Sequence, residues 1–200
     1  MTIEPPFRAA TPDDAPALAE LIDMAGDGLP LYLWERLAEP GEAAWDVGRR
    51  RVLRDVGGSS WRHGIVADEA GSVVACLSGY PLPDVAEPSD PGMPAMFVPL
   101  QELENQASGT WCVNILAVVP DRRGGGWGAR LLRLADLLAL RSHRRGTSVI
   151  VADANLNARR LYERCGYREV ATRPMVKEEW SSPSSTWVLL RKDGDVGSER

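Results

Sequence analysis

Residues 116–132 read Leu-Ala-Val-Val-Pro-Asp-Arg-Arg-Gly-Gly-Gly-Trp-Gly-Ala-Arg-Leu-Leu and carry the strongest fold signal in this chain. An apolar strand runs into a glycine-rich turn, and the turn opens a helix. This arrangement points several backbone N–H groups at one spot, with the positive end of the helix behind them. Glycines let a bulky anion approach the main chain, and Arg122 and Arg123 add charge beside it. The stretch therefore predicts a phosphate or pyrophosphate site.

Other interpretations of this stretch fit less well. The Walker loop ends in Gly-Lys-Ser/Thr, whereas Gly128 is followed by Ala129 and Arg130. The dinucleotide fingerprint follows the first strand of a βαβ unit and has an acid about 20 residues later. Here the glycines come late in the chain, and Asp153 lies farther on than the rule asks. A nucleotide-dependent enzyme of another kind is thus a weaker alternative, and a glycine-rich turn without a ligand is weaker still.

The composition predicts one globular domain in a reducing compartment. The chain has 200 residues, of which 44% are hydrophobic and 26% are charged, and its formal net charge is −5. The N-terminus lacks a signal-peptide pattern, and no apolar run approaches the roughly 20 residues that cross a bilayer. Three scattered cysteines without a CxxC pair argue against disulfides and a zinc site. We expect a cytoplasmic protein without a metal, a membrane anchor or a nucleic-acid partner.

The rest of the sequence predicts a single mixed α/β domain over residues 1–192, with a frayed tail at residues 193–200. A helix begins at Thr11-Pro-Asp-Asp, because a hydroxyl cap, a proline and acids in the first turn favour a helix start. Gly166 suits the left-handed position that ends another helix. The predicted strands are 7–10, 64–80 as a hairpin, 110–119, 147–153, 167–176 and 186–191. The predicted helices are 11–22, 31–37, 97–107, 127–141 and 155–165, with loops at 23–30 and 81–94.

Two motifs stand in order within this pattern. The first reads V-x-P-x-x-R-G-x-G-x-G and falls on Val118, Pro120, Arg123, Gly124, Gly126 and Gly128. The second reads N-x-x-A-x-x-L-Y-x-x-x-G-Y and falls on Asn155, Ala158, Leu161, Tyr162, Gly166 and Tyr167. Together they resemble the signatures of the GNAT superfamily of N-acetyltransferases, over about residues 110 to 170. The resemblance implies the acyl-CoA N-acyltransferase fold, in which about four helices flank a mostly antiparallel sheet of about seven strands.

The resemblance also implies the roles of individual residues. It implies acetyl-CoA as the acetyl donor and an amine, on a small molecule or a peptide, as the acceptor. Tyr162 occupies the family position that protonates the departing thiolate, and a homodimer is a family expectation. Asn155 would face the pantetheine arm, beside which Ala158 leaves space. The backbone expected to pair with that arm is Leu116, Ala117 and Val118, and the N–H groups expected to hold the pyrophosphate are those of Arg123, Gly124, Gly125, Gly126, Trp127, Gly128 and Ala129.

The base for the reaction is not assigned by the motifs. An alkyl amine has a pKa near 10.4, so only about one in 2,500 molecules is neutral at pH 7, a cost of about 4.6 kcal/mol. Some family members carry a glutamate in the fifth strand, but Ile150 occupies that position here. Glu102, Glu104 and a water chain are the alternatives.

The acceptor pocket is expected from three segments, residues 23–33, 81–106 and 180–185. Their aromatic and acidic side chains could hold a cationic amine, or could form an ordinary polar rim. The main competing hypothesis is a coenzyme-A-binding sensor or assembly module of the same fold with little or no catalysis. The side chains in question are Tyr32, Trp34, Tyr80 and Trp180, with Asp27, Asp84, Glu87 and Asp90.

Overall fold

Seven strands and six α-helices make up most of residues 3–88 and 90–194, the part of the chain that the computed structural model describes. Short 3-10 turns occur at Pro12–Asp14, Trp61–His63, Ala95–Phe97 and Pro120–Arg122. In chain order the elements are β1 (Phe7–Ala9), α1 (Ala15–Ala25), α2 (Leu29–Leu37), α3 (Ala44–Val52), β2 (Gly64–Glu69), β3 (Ser72–Pro81), α4 (Val98–Gln106), β4 (Trp111–Val118), α5 (Trp127–Arg141), β5 (Gly146–Ala152), α6 (Leu156–Arg164), β6 (Arg168–Pro174) and β7 (Thr186–Asp193).

The strands form one mixed sheet in the order β1-β2-β3-β4-β5-β7-β6. The pairs β1–β2, β2–β3, β5–β7 and β6–β7 are antiparallel, whereas β4 and β5 run parallel. The parallel ladder is short and joins three residue pairs, from Trp111–Thr147 to Val113–Val149. The predicted fold class, a mostly antiparallel sheet of about seven strands flanked by helices, is confirmed, although the described residues contain six α-helices rather than about four.

One of two compact units comprises the chain up to Gly79 together with Asn114–Leu131. Its core joins α1 to α3 and to the strands through buried residues such as Leu21, Val47 and Val66. Gly48 is required where α3 meets Trp34, because a Cβ there would lie 2.6 Å from the indole ring. The helix start predicted at Thr11 is also found here. The Thr11 N–H donates to the Asp14 carboxylate at 2.7 Å and begins the turn that leads into α1.

The other compact unit comprises Tyr80–Val113 and the chain from Leu132 onward. Its core contains Leu103 of α4, Cys112 of β4 and Leu189 of β7. Ile150, where the sequence resemblance led us to look for a glutamate, packs against this cluster. Asp153 accepts hydrogen bonds from the main-chain N–H groups of Ala154 and Ser185, and from the Ser185 hydroxyl at 3.0 Å. These bonds give Asp153 a structural role at the end of β5.

The structure differs from the sequence prediction near α1, α3 and the C-terminus. The loop predicted at 23–30 is shorter in the structure, because α1 continues to Ala25 and α2 begins at Leu29. Oδ1 of Asp23 in α1 accepts the N–H of Leu31 in α2 at 2.9 Å. The helix α3 was not predicted, because Gly48 and three successive arginines obscure its apolar period. β7 reaches Asp193, which pairs with Gly146. The rest of the predicted tail, residues 195–200, lies outside the described residues. No described helix is long and apolar enough to cross a bilayer.

Candidate active site

The glycine-rich turn joins the end of β4 to α5 in the first unit. Gly124 and Gly126 have φ values of +80° and +78°, which glycine adopts without strain. The Arg130 N–H donates to the Gly126 carbonyl at 3.1 Å, forming the first hydrogen bond of α5. Among the described residues, no acceptor is found for the N–H groups of Gly124 through Ala129. Six consecutive main-chain donors therefore precede the first helical bond, as an anion site requires.

The space above this turn is open at two of its glycines. A Cβ built on Gly124 or Gly126 would meet no atom within 4 Å, whereas one on Gly125 would lie 3.3 Å from the Arg122 carbonyl oxygen. A side chain at Gly124 or Gly126 would therefore extend into the open space, where a ligand could lie. The residues present fit a diphosphate group.

The two arginines of the turn contact other parts of the first unit. Nε of Arg122 lies 2.7 Å from Oε2 of Glu69 in an exposed ion pair. Arg123 donates to the Val118 carbonyl at 3.1 Å and contacts the Met24 sulfur at 3.1 Å. The expectation that both arginines add positive charge at the loop is thus changed. Glu69 offsets the charge of Arg122, and the Arg123 guanidinium is hydrogen-bonded to the end of β4.

Arg130 is a feature of this region that sequence reasoning missed. Its guanidinium lies 4.6 Å from the ring centroid of Trp127 and 4.7 Å from that of Phe7. The two rings meet edge to face at 5.8 Å, and the Trp127 side chain is buried. The three-residue spacing of Trp127 and Arg130 on a helix was the available signal. This stack holds the first turn of α5 against β1.

The strand residues expected to pair with pantetheine lie at the end of β4. Ala117 is buried, and Leu116 and Val118 are partly buried. The main chain of Ala117 lies beside the Cys76 thiol, whose pKa is raised to about 12 by burial. Cys76 is therefore a neutral packing residue and not a nucleophile.

The second motif forms the start and the inner face of α6 in the second unit. Oδ1 of Asn155 accepts the Ala158 N–H at 3.2 Å, so Asn155 caps this helix. The Tyr162 side chain is buried and tilts against the Tyr167 ring, with centroids 5.5 Å apart. Burial, with smaller contributions from Cys112 and Cys165, raises the pKa of Tyr162 above its usual value. The phenol is therefore protonated at neutral pH, the form a proton donor needs.

The two glutamates considered as a base differ sharply in their surroundings. Glu102 forms an ion pair with Arg173 of β6. Glu104 accepts a 2.7 Å hydrogen bond from the Tyr80 hydroxyl. Burial raises the pKa of Glu104, the bond from Tyr80 lowers it, and the nearby charge of Glu87 raises it further, for a net upward shift. Glu104 is the better candidate, since a raised carboxyl pKa is closer to neutral pH.

Cys112 lies in the core beside the candidate base within the second unit. It is buried, and its pKa is raised by burial and by the charge of Glu104. Tyr80, which donates to Glu104, packs against the hydrophobic cluster that contains Cys112. Cys112 is therefore a neutral packing residue and not a nucleophile.

A cavity of about 200 Å³ lies beside Glu104, between the segment 80–87 and α4. It belongs to the predicted acceptor segment 81–106. Ten residues line it: Tyr80, Pro81, Leu82, Pro83, Val85, Glu87, Gln101, Glu104, Asn105 and Ser108.

Several side chains expected in the acceptor pocket have other roles. Trp34 is buried in the first unit and packs edge to face on Trp45 at 5.7 Å. Trp180 is buried in the second unit and stacks on Trp187 at 6.1 Å. Asp84 pairs with Arg144 at 2.7 Å. Packing thus occupies both tryptophans and an ion pair occupies the aspartate. Among the described residues, no three histidine, cysteine or acidic side chains cluster as metal ligands would.

Comparison with known proteins identifies a family model and a set of similar solved structures. The model described as an acetyltransferase (GNAT) domain matches residues 60–169. No curated protein matches the chain in sequence. The crystal structure of an acetyltransferase is 19% identical, with a TM-score of 0.63 over 94% of this chain and 98% of that chain.

Two further structures agree with that comparison. An N-acetyltransferase from Staphylococcus aureus Mu50 is 15% identical, with a TM-score of 0.61 over 92% of this chain and 98% of that chain. A ribosomal-protein-alanine N-acetyltransferase from Brucella melitensis is 20% identical, with a TM-score of 0.59 over 94% of this chain and 98% of that chain. At these identities the likeness shows the fold.

Proposed function

Because the chain belongs to the GNAT acetyltransferase family, we propose that it transfers acetyl from acetyl-CoA to a primary amine by direct attack in a ternary complex. The observation that carries this proposal is the row of N–H groups from Gly124 to Ala129, which have no acceptor among the described residues. Buried, neutral Cys76 and Cys112 support direct attack, because neither is available as a thiolate for an acyl-enzyme step.

The coenzyme is proposed to bind through main-chain groups of β4 and of the turn that follows. Acetyl-CoA supplies the activated acetyl thioester. Neutral N–H donors at a helix start suit a diphosphate, since the positive end of the helix adds to each hydrogen bond. We assign the pantetheine contacts to Leu116, Ala117 and Val118, with Asn155 and Ala158. We assign the pyrophosphate contacts to the N–H groups of Gly124, Gly125, Gly126, Trp127, Gly128 and Ala129. The Arg123 N–H, also expected there from the sequence, instead donates to the Pro120 carbonyl at 3.1 Å.

Tyr162 is proposed to be the general acid. The thiol of the leaving group resembles that of cysteine, with a pKa of about 8.5, whereas a phenol titrates near 10. Burial raises the Tyr162 pKa further, so the phenol is protonated before the reaction and is proposed to give its proton to the sulfur as the carbon–sulfur bond breaks.

Glu104 is proposed to be the general base. The acceptor arrives as an ammonium and must lose a proton before it attacks. Glu104 has an upward-shifted pKa and lines a cavity, whereas the Glu102 carboxylate is held by Arg173. A carboxylate whose pKa lies nearer to neutral pH accepts that proton at a smaller energetic cost.

A thiol-release assay with acetyl-CoA and a panel of primary amines tests the function. We expect amine-dependent release of free CoA, together with the acetylated amine by mass spectrometry. Tight coenzyme binding without turnover on any amine would contradict the enzyme and support a coenzyme-binding module. Stabilisation by NAD or ATP but not by acetyl-CoA would contradict both; a ligand at 100 times its Kd adds about 2.7 kcal/mol of stability.

A cytoplasmic location and a homodimer complete the proposal. Cys76, Cys112 and Cys165 are unpaired thiols, which suits a reducing compartment. Light scattering of the purified chain tests the dimer, which a monomeric mass over the working concentration range would contradict.

A further inference from the structure

The cavity beside Glu104 has the size of a small group rather than of a drug-like ligand. Its volume is about 200 Å³, and a water molecule in the liquid takes up about 30 Å³. The cavity therefore holds about six or seven atoms the size of a water molecule. This is enough for a short alkyl chain with one polar end.

The charged side chains that line the cavity are both acidic. Glu104 and Glu87 are close enough for the charge of Glu87 to raise the pKa of Glu104. Two arginines border the cavity from its main-chain side. Arg144 donates to the Leu82 carbonyl at 3.0 Å and pairs with Asp84, which offsets its charge, and Arg145 donates to the Ser108 carbonyl. Tyr80 and Cys112 are neutral because burial raises both of their pKa values. A cation in this cavity would relieve the repulsion between the two carboxylates.

The remaining wall is apolar and reaches the surface. Leu82 is buried, whereas Val85 is 76% exposed. Pro81 and Pro83 complete this side. An apolar stem, meaning the alkyl chain of a bound amine, would cover Val85. This contact would favour binding by about 25 cal/mol for each Å² of apolar surface removed from water.

The shape of the cavity is fixed by a side-chain clamp. Asn105 accepts the Glu87 N–H at 3.1 Å and donates to the Glu87 carbonyl at 2.9 Å. Gln101 donates to the same Asn105 oxygen at 3.3 Å. This clamp ties the segment that carries Glu87 to α4, so a ligand need not order that segment when it binds.

We propose that this cavity is the acceptor subsite and that it selects a primary ammonium carried on a short apolar stem. The ammonium lies between the Glu104 and Glu87 carboxylates, and the stem lies on Leu82 and Val85. The name acceptor subsite rests on the proposed function, whereas the binding of the ammonium does not require turnover. A free alkylamine and a lysine-like side chain both present this chemistry.

Binding of small probes, followed by NMR shifts of the Asn105 side-chain amide, tests the inference directly. The probes are n-butylamine, the uncharged n-butanol, and 4-aminobutyrate, which adds a carboxylate at the far end. We expect n-butylamine to bind at least about tenfold tighter than either, a difference of about 1.4 kcal/mol. Equal affinities for n-butylamine and n-butanol would overturn the proposal.

Variants test which residues recognise the probe. We expect Glu87→Gln to weaken n-butylamine about two- to fivefold, the range for an exposed ion pair. Glu104→Gln is expected to weaken it further. The exposed Glu20 of α1 provides the matched control, and Glu20→Gln is expected to leave affinity unchanged. Unchanged affinity in both cavity variants would contradict the assignment.

A separate measurement of turnover tests whether the ammonium belongs to a free amine or to a lysine-like side chain. It also separates failure of the cavity assignment from failure of the proposed function. Acetylation rates with n-butylamine and with a capped lysine peptide show whether a free amine or a side chain is preferred. Probe binding without turnover in either arm would support the cavity assignment and contradict the proposed function. Turnover with no probe shift at Asn105 would support the function and overturn the cavity assignment.

Discussion

The Tyr80 hydroxyl donates a 2.7 Å hydrogen bond to Oε1 of Glu104, joining β3 to α4 across 24 residues of sequence. Burial raises the pKa of both groups, so the phenol stays protonated and is the donor of this bond. The bond fixes the position of the carboxylate and opposes part of the upward shift in its pKa. Tyr80 thereby sets the pH at which Glu104 can accept a proton.

The first prediction concerns Tyr80→Phe and the pH profile of kcat/KM. Removing the donated bond leaves burial and Glu87 to raise the Glu104 pKa without opposition. The acidic limb, where activity falls because Glu104 becomes protonated, is expected to move to higher pH. Rates at several pH values measure the shift. An acidic limb that stays in place or moves to lower pH would show that Tyr80 does not tune this carboxylate.

The second prediction compares the two glutamates of α4. Glu104→Gln is expected to lower kcat by about 10²- to 10³-fold, near the usual range for loss of a general base. Glu102→Gln is the matched control and is expected to change kcat by less than about threefold, because Glu102 pairs with Arg173 at the surface. Steady-state kinetics decides between them, and equal losses would refute the assignment of Glu104.

Thermal unfolding provides the folding control for Glu104→Gln. The folded-state pKa of Glu104 is raised, so its contribution to stability is present below pH 4.5 and is lost as pH rises through the folded pKa. Glutamine does not ionise and still accepts from Tyr80. At neutral pH the variant is therefore expected to be at least as stable as the wild type, which separates loss of chemistry from unfolding.

The third prediction concerns the pair Tyr162 and Tyr167, whose rings lie against each other. Tyr162→Phe is expected to slow turnover about 10²-fold with coenzyme affinity unchanged. Tyr167→Phe is the control, because the Tyr167 hydroxyl is buried and lies beside Thr147 without a well-formed hydrogen bond among the described residues. Removing that hydroxyl is expected to change stability by less than about 1 kcal/mol and leave the rate unchanged. A wild-type rate for Tyr162→Phe would reduce Tyr162 to a packing role.

The fourth prediction concerns the stack of Arg130 on Phe7 and Trp127. A double-mutant cycle of Arg130→Met and Phe7→Leu is expected to give a coupling free energy of about 0.5–1.5 kcal/mol. Urea unfolding of the wild type, both single variants and the double variant provides the four free energies. Additive effects would show that the guanidinium and the Phe7 ring do not stabilise each other.

Local signals in the sequence predict the elements that hold the motifs. Proline and glycines after an apolar run predicted the turn at 120–126, and the N-cap residue Asn155 and Gly166 predicted the two ends of α6. In contrast, α3 is short and carries few apolar residues, with Gly48 in its middle, and it packs against α1 and Trp34.

The candidate site was predictable only in part, because some of its contacts join residues that are far apart in the sequence. The loop and Tyr162 stand in motifs, whereas the choice of Glu104 over Glu102 depends on partners far along the chain, Tyr80 and Arg173. The stack of Arg130 on Phe7 likewise joins two residues that lie far apart in the sequence, one in α5 and one in β1. Such pairings follow from tertiary packing, which spacing along one element does not encode.

Coenzyme titration of two glycine variants tests the central claim most directly. Gly126→Glu places a side chain and a negative charge in the open space over the turn, at a φ of +78°. Gly41→Glu is the matched control, with a φ of +89° and equally open surroundings elsewhere in the first unit. Calorimetry is expected to show acetyl-CoA binding to the wild type and to Gly41→Glu, and no measurable binding to Gly126→Glu. Equal affinity in all three proteins would contradict the binding of the pyrophosphate by this turn.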